Sequence, residues 1–508
     1  MTTVRLSDLL KEAPPTALCG QFPAEEAIAE IVCDSRRAAE NHLFVAIRGA
    51  AADGHDYLLS SYRAGCRVFA VTHFCDALPT DALQLRYEDT RAALALLAAA
   101  FYRHPTDHLR VVGVTGTKGK TTICLLTYAM LTACNIPVGY IGTNGVLYRD
   151  HQETTANTTP ESLVLQRIAR DMVDHGVEVL LLEVSSQALI QHRVDGISFD
   201  TVVYTNLYRD HIGASEHPDM NAYKAAKRRL FAEYPSKTVI LNADDPHAGD
   251  MIHGADREKR LLWYSGEGRA SATLRAHSVT PTMTAGGEPG ITFLLGGLGM
   301  KEARVDLPLA GKYNVGNALA ATAICHALGI DVYSAVASLA SAHIPGRCET
   351  ITCQGGPHIL IDYAHNEKSL SELLVTMRDY LQRDGRLIVL FGSVGERTRE
   401  RRAAMGAVAS EYADLCILTS DNPGAEDPME IIREIRRGFV KDTPCLMIPD
   451  REEAICTAVS LLHAHDILIL AGKGHESYQL IGKEKIPFSE REIVLRALSA
   501  GAVVSPQM

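Results

Sequence analysis

The chain has 508 residues, a formal net charge of −11 and a pI near 6.0. That length predicts roughly three domains. A 46% apolar, 22% charged composition supplies several globular cores. The acidic balance argues against a sequence-independent nucleic-acid binder, which needs a basic surface to neutralise phosphates. The twelve cysteines form no CxxC pair and no zinc-finger spacing, so reduced thiols in a reducing cytosol are expected. The N-terminus lacks the apolar core of a signal peptide. The longest Ala/Leu run, Ala92–Tyr102, is too short to span a bilayer and predicts a buried helix. A cytoplasmic protein without membrane insertion is the expectation.

In chain order, residues 1–108 carry short apolar runs, HLFVAIRG and CRVFAVTH, between helical patterns. From Leu109 the texture changes to LRVVGVTGTKGKTT, a β-branched strand, a glycine turn and the start of a helix. VEVLLLEVSS, FDTVVYTNL and KTVILNADD follow as near-continuous apolar strands, which predicts a parallel sheet buried on both faces. Residues 270–307 read as short antiparallel strands, and NVGNALAATAICHALG reads as a helix. After the IPGR turn come HILIDYAH, RLIVLFGS, DLCILTSD and DILILAGKG, a second strand set. The prediction is an α/β protein of three domains, 1–108, 109–345 and 346–508.

Gly116, Thr117, Lys118, Gly119, Lys120, Thr121 and Thr122 lie between strand and helix. Glycines there let backbone N–H groups turn toward an anion, and the helix N-terminus adds a favourable dipole. Lys120 is expected to reach the β- and γ-phosphates, and Thr121 to meet Mg²⁺. The full Walker spacing wants glycine where Val114 stands, so only the shorter GTxGKT form matches.

Glu183 and Ser185 fall just past the end of a buried apolar strand, where open α/β sheets bind ligands. A carboxylate there suits a hard cation, as well as being an ordinary strand-end acid. The next strand ends in Asn206, Arg209, Asp210 and His211, again a polar cluster. Lys227, one of four basic residues in KAAKRR, reads by itself as a helix-surface lysine.

The motifs GTKGKTT, NTTPES, LEVSSQAL, TNLYRDH, YKAAKRRLF, LNADD, KYNVGNALAA, PGRCE, DYAHN, SDNP and GKGHE run in one order along nearly the whole chain. In that combination the sequence resembles the Mur ligases, and within them the branch that adds the third amino acid to UDP-N-acetylmuramoyl-L-alanyl-D-glutamate. GTxGKT alone also fits the sister folylpolyglutamate synthetases. The resemblance implies a UDP-binding first domain, a central P-loop ATPase domain and a Rossmann-like amino-acid domain. It assigns Ser35 to the uridine end. It assigns Asn157, Thr158, Thr159, Ser185, Gln191 and Arg193 to the muramoyl-dipeptide, and Asn314, Asn317, Arg347 and Asp362 to ATP. Arg397, Asp421, Asn422, Gly472 and Glu476 are assigned to the incoming amino acid. Lys120, Glu183, His211 and a carbamylated Lys227 carry catalysis, with Thr121, Glu183, His211 and Lys227 toward Mg²⁺. ATP, the nucleotide dipeptide and a diamino acid are the expected small-molecule partners of a monomer.

Departures from the pattern matter. Gln187 replaces the usual histidine of EVSSH and removes a titratable group. Gly424 follows DNP where diaminopimelate enzymes carry arginine. With Glu426 and Asp427 nearby, that loop predicts L-lysine or L-ornithine in preference to meso-diaminopimelate, because a buried carboxylate without a cationic partner is costly.

Overall fold

A computed structural model describes residues 3–23, 25–49, 52–210, 212–213, 216–254, 258–284, 287–342, 344–352, 356–395 and 399–502. The chain forms two compact units, one of Met1–Tyr264 with Ala323–Ile330, the other of Ser265–Thr322 with Asp331–Met508. The α/β class is as predicted.

The first unit begins with a five-stranded sheet in the order Ala17–Cys19, Leu83–Arg86, Val68–Val71, His42–Val45 and Glu30–Val32. Only the pair at the Ala17–Cys19 edge is antiparallel. The alanine-rich run is the helix Thr90–Phe101, started by Asp89, whose carboxylate accepts from the N–H groups of Arg91 and Ala92. It buries Ala93, Leu94, Leu97 and Phe101 in a core with Leu43, Val45 and Leu85.

The second sheet of this unit centres on Arg110–Thr115, flanked by Val179–Glu183 and Phe199–Tyr204, all parallel. Val138–Gly142 extends it on one side and Ser236–Asn242 on the other. Every residue of Val179–Glu183 is buried, as its unbroken apolar run requires. Parallel order puts the carboxyl ends of Arg110–Thr115, Val179–Glu183 and Phe199–Tyr204 side by side, where ligands bind in such sheets.

The second unit opens with the antiparallel strands Leu274–Met283, Pro289–Gly297 and Met300–Leu307. Its larger sheet has the order Glu349–Thr352, His358–Asp362, Ile467–Ala471, Leu387–Phe391, Leu415–Leu418 and Cys445–Met447. The four strands expected from sequence are its four inner ones. Sequence reading missed the edge strand Cys445–Met447, which is only three residues long and leaves Leu446 and Met447 exposed. Apolar cores cover both faces of this sheet. Among the described residues no helix is long and apolar enough to cross a membrane.

Candidate active site

The phosphate loop lies between strand Arg110–Thr115 and helix Lys120–Ala133. Gly116 has φ +153°, and a Cβ there would sit 1.8 Å from the Thr205 hydroxyl, so no larger residue fits without moving the neighbouring strand end. That strand end latches the loop. Asn206 accepts from the Lys118 N–H through its side chain (2.9 Å) and from the Thr117 N–H through its backbone carbonyl (2.9 Å). Thr205 Oγ1 donates to the Lys118 carbonyl at 2.6 Å. The Thr117 hydroxyl accepts from the Tyr208 N–H at 3.0 Å and the Tyr223 hydroxyl at 3.2 Å. Lys120 Nζ lies over the loop, donating to the carbonyls of Gly116 and Thr117 at 2.9 and 3.1 Å. Thr121 and Thr122 are buried in the first helical turn.

Glu183 pairs in register with Val114, two residues before the loop glycine Gly116. Its side chain is fully buried. Oε1 accepts from Tyr140 Oη at 2.6 Å and the Thr143 N–H at 3.0 Å, while Oε2 accepts from Thr143 Oγ1 at 3.1 Å. Gly142 makes this packing possible, because a Cβ there would lie 2.3 Å from both Glu183 Oε1 and Tyr140 Oη. Neither Tyr140 nor Thr143 was assigned from sequence. Their signal is weak, a tyrosine within an apolar strand and a threonine after glycine.

Lys227 is not the surface lysine that its basic neighbours suggest. It is 1% exposed on the inner face of helix Met220–Ala232. Nζ donates to the Gly116 carbonyl at 2.9 Å and lies 4.4 Å from the Tyr223 ring centroid. Burial, reinforced by the charge of Lys120, drives its ammonium well below the usual lysine range. His211 lies outside the described residues.

The residues assigned to the muramoyl-dipeptide come together beside Glu183. Thr159 Oγ1 donates to the Glu183 carbonyl at 2.7 Å and accepts from the Ser185 N–H at 3.0 Å. Ser185 caps the short helix Ser186–Ile190, its hydroxyl accepting from the Ala188 N–H. Thr158 Oγ1 is 3.2 Å from Thr143 Oγ1. Arg193 is 8% exposed and donates to the Thr159 carbonyl at 2.8 Å and to Gln191 Oε1 at 2.7 Å. Glu161, not assigned from sequence, pairs with Arg193 at 2.8 Å and Arg91 at 3.3 Å. Asn157 is exposed on the same segment. Ser35 stands apart from this cluster in sequence, opening a turn capped by Asp34.

In the second unit, Asn314 and Asn317 are buried on helix Lys312–Ala327 and joined by a 2.9 Å hydrogen bond. Asp362 accepts from the Cys348 N–H at 2.8 Å, and Arg347 lies over the Tyr363 ring at 4.9 Å. Burial raises the Asp362 carboxyl above its ordinary range, against the lowering influence of Arg347. Asp421, Asn422, Gly472 and Glu476 meet at the ends of strands Leu415–Leu418 and Ile467–Ala471. Asn422 Nδ2 donates to Glu476 Oε2 at 2.9 Å, and a Cβ on Gly472 would be 3.0 Å from Asp421 Oδ2. Arg397 lies outside the described residues.

The expected acidic partners of an incoming ammonium near Gly424 are otherwise engaged. Glu426 takes two bonds from the buried Arg402, at 2.9 and 3.0 Å. Asp427 caps helix Pro428–Arg437 through the Met429 N–H. Gly424 itself has φ +59°, and its N–H and carbonyl bond the Leu480 carbonyl and the Gly482 N–H. Glycine at 424 suits that backbone geometry, and the two acids on which the expectation of an ammonium rested already have partners.

Residues 114–325 match the Mur ligase middle domain and residues 346–474 the Mur ligase, glutamate ligase domain. A UDP-N-acetylmuramoyl-L-alanyl-D-glutamate–2,6-diaminopimelate ligase of Chlorobium phaeobacteroides is 39% identical over 99% of this chain and 98% of its own. The enzyme of the same name from Caldanaerobacter subterraneus is 37% identical over 93% and 95%. A solved structure of a ligase of that name superposes with a TM-score of 0.70 at 27% identity, covering 98% of this chain and 99% of the other. The folylpolyglutamate synthase of Mycobacterium tuberculosis shares the fold at a TM-score of 0.62 and 16% identity, over 82% of this chain and 95% of its own. The chain belongs to the Mur ligase family.

Proposed function

We propose that this enzyme joins 2,6-diaminopimelate to the D-glutamate γ-carboxyl of UDP-N-acetylmuramoyl-L-alanyl-D-glutamate, using ATP, in peptidoglycan precursor synthesis. The names of its near-full-length relatives support diaminopimelate in place of the lysine or ornithine expected from Gly424. The observation that carries the reading is the junction of three groups at adjacent strand ends: the latched phosphate loop, the buried Glu183 and the Thr159–Ser185–Arg193 cluster. We assign residues 1–108 to the uridine end, 109–345 to ATP and 346–508 to the amino acid. The reaction belongs in the cytoplasm, and the enzyme acts as a monomer.

A carboxylate is a poor acyl donor. Its oxygen attacks the γ-phosphorus of ATP and ADP leaves; the amino group then attacks the acyl carbon of the resulting acyl phosphate, the C–N bond forms, and phosphate and a proton leave. Lys120 sits where it can turn from the loop carbonyls to the β- and γ-phosphates. Arg193, whose Nη atoms hold Glu161, Thr159 and Gln191 and whose buried Nε has no hydrogen-bond partner among the described residues, is the cation we assign to an anion of the nucleotide substrate. The described donors near the loop, the Thr121 hydroxyl and the Glu183 carboxylate, are the hard oxygens that Mg²⁺ prefers. Thr121, Glu183, His211 and Lys227 would hold it, and bound Mg²⁺ would neutralise charge on the phosphates. Burial beside Lys120 lowers the Lys227 ammonium well below the usual lysine range, which favours the neutral amine that adds CO₂ to become a carbamate.

The test is phosphate release together with mass spectrometry of the nucleotide product. Release is expected only when ATP, nucleotide dipeptide and diaminopimelate are all present. Release with either acceptor absent would make this a simple ATPase.

A further inference from the structure

Lys473 of the GKGHE motif has no role in the reading above, yet it is the hub of the amino-acid loop. Its side chain is fully buried. Nζ donates to Asn422 Oδ1 at 3.0 Å and Glu476 Oε2 at 3.1 Å, lies 3.6 Å from Asp421 Oδ1, and stands 5.7 Å from the Tyr478 ring centroid. The oxygen of Asn422 is fully used, and its amide nitrogen keeps one N–H beyond the bond to Glu476. Its Oδ1 takes Lys473 and the Leu480 N–H (2.9 Å), and its Nδ2 goes to Glu476.

The carboxylates are left differently. Asp421 Oδ1 is buried without a hydrogen bond, and Glu476 bonds only through Oε2 among the described residues. Beneath them Arg451 and Glu490, both almost fully buried, form a neutral pair at 2.8 Å. Arg451 also donates to the carbonyls of Ser420 and Ala471, fixing the two strand ends that carry Asp421 and Gly472. With all three ionised, Lys473 against Asp421 and Glu476 leaves one net negative charge, complementary to an ammonium group; burial pushes the Asp421 carboxyl above its ordinary range, against the lowering influence of Lys473 and Arg451. Without Lys473 the two carboxylates would repel and the Asn422 oxygen would lose one of its two donors.

We infer that Lys473 is a positioning residue for amino-acid recognition: it holds Asp421, Asn422 and Glu476 as one preformed anionic seat for an ammonium of the diamino acid. This rests on the ligase reading above. The experiment compares Lys473→Met and Lys473→Gln, the latter keeping a donor to Asn422 without the charge, with the wild-type enzyme. KM is measured for diaminopimelate, ATP and nucleotide dipeptide, alongside kcat and Tm. The diaminopimelate KM should rise at least about tenfold in both variants, with the other two KM values within about twofold, because only the seat is disturbed. An unchanged diaminopimelate KM overturns the inference. So does a parallel loss of all three affinities with a lowered Tm, which would make Lys473 a general structural residue. A wild-type enzyme that forms no product from the three substrates would instead overturn the ligase reading itself.

Discussion

The phosphate loop and the amino-acid loop both close the carboxyl ends of parallel strands, but different forces hold them. The phosphate loop is latched mainly by neutral hydrogen bonds with Asn206, Thr205, Tyr208 and Tyr223 on backbone and hydroxyl groups, together with the partly exposed ion pair Lys118–Asp210 at 3.2 Å. Lys120 from its end and Lys227 from helix Met220–Ala232 both rest on its carbonyls. The amino-acid loop is held by buried ions, Lys473 with Asp421 and Glu476 above the Arg451–Glu490 pair. A neutral lattice can surrender a lysine to a ligand without leaving a buried charge exposed to nothing. An ionic lattice cannot, because removing one partner strands the other in a low-dielectric site. Substitutions at the first loop should therefore separate activity from stability, and substitutions at the second should couple them.

The largest effect is expected at Lys120. Lys120→Ala should lower kcat at least about 10³-fold, as loss of a phosphate-stabilising charge does, while Tm stays close to wild type. Near-normal turnover would break the assignment of this loop to ATP. Lys227→Ala comes next, with a fall of about 10²-fold if a carbamate there completes the metal side of the site. Short carboxylic acids should restore part of the rate, and full activity without them would leave Lys227 a packing residue. A smaller change is expected for the latch. Asn206→Ala should raise the ATP KM about tenfold, from two side-chain bonds lost to the loop. It should leave the diaminopimelate KM unchanged. Equal effects on both would mean that Asn206 supports the fold at large.

The contrast also explains what the sequence disclosed. The phosphate loop was legible because its requirement is local: a strand, glycine at the crowded 116 position, then a helix. The inner strands of both sheets were legible for the same reason, since fully buried strands are written as unbroken apolar runs. The resemblance to Mur ligases supplied Thr159, Ser185, Gln191 and Arg193, which the fold brings into one bonded cluster. Burial of Lys227 was not legible. Three basic neighbours in the helix argue for solvent, and only tertiary packing turns position 227 inward. Tyr140 reaches Glu183 across 43 residues, and Lys473 reaches Asn422 across 51, distances over which spacing carries no signal. The same blindness misassigned Glu426. Its partner Arg402 is 24 residues away on helix Glu400–Tyr412, so the acid looked available for substrate.

Glu426 gives the smallest expected change in activity and the sharpest check of that correction. Arg402 is 1% exposed and held by Glu426 and Glu434, the latter at 2.7 Å. Glu426→Gln removes one charge from this set and keeps an acceptor for the guanidinium, while Glu434 still neutralises it. Stability should fall by about 1–2 kcal/mol, the scale of weakening one charge-assisted hydrogen-bonded contact whose donor keeps another partner. The diaminopimelate KM should remain within about twofold of wild type, because Glu426 spends its carboxylate on Arg402 and a change below twofold is under about 0.4 kcal/mol. A rise beyond tenfold at unchanged Tm would put Glu426 in contact with the amino acid after all. It would return the Gly424 loop to the reading that its charges alone suggested, and direct measurement of lysine and ornithine as substrates would follow from that result.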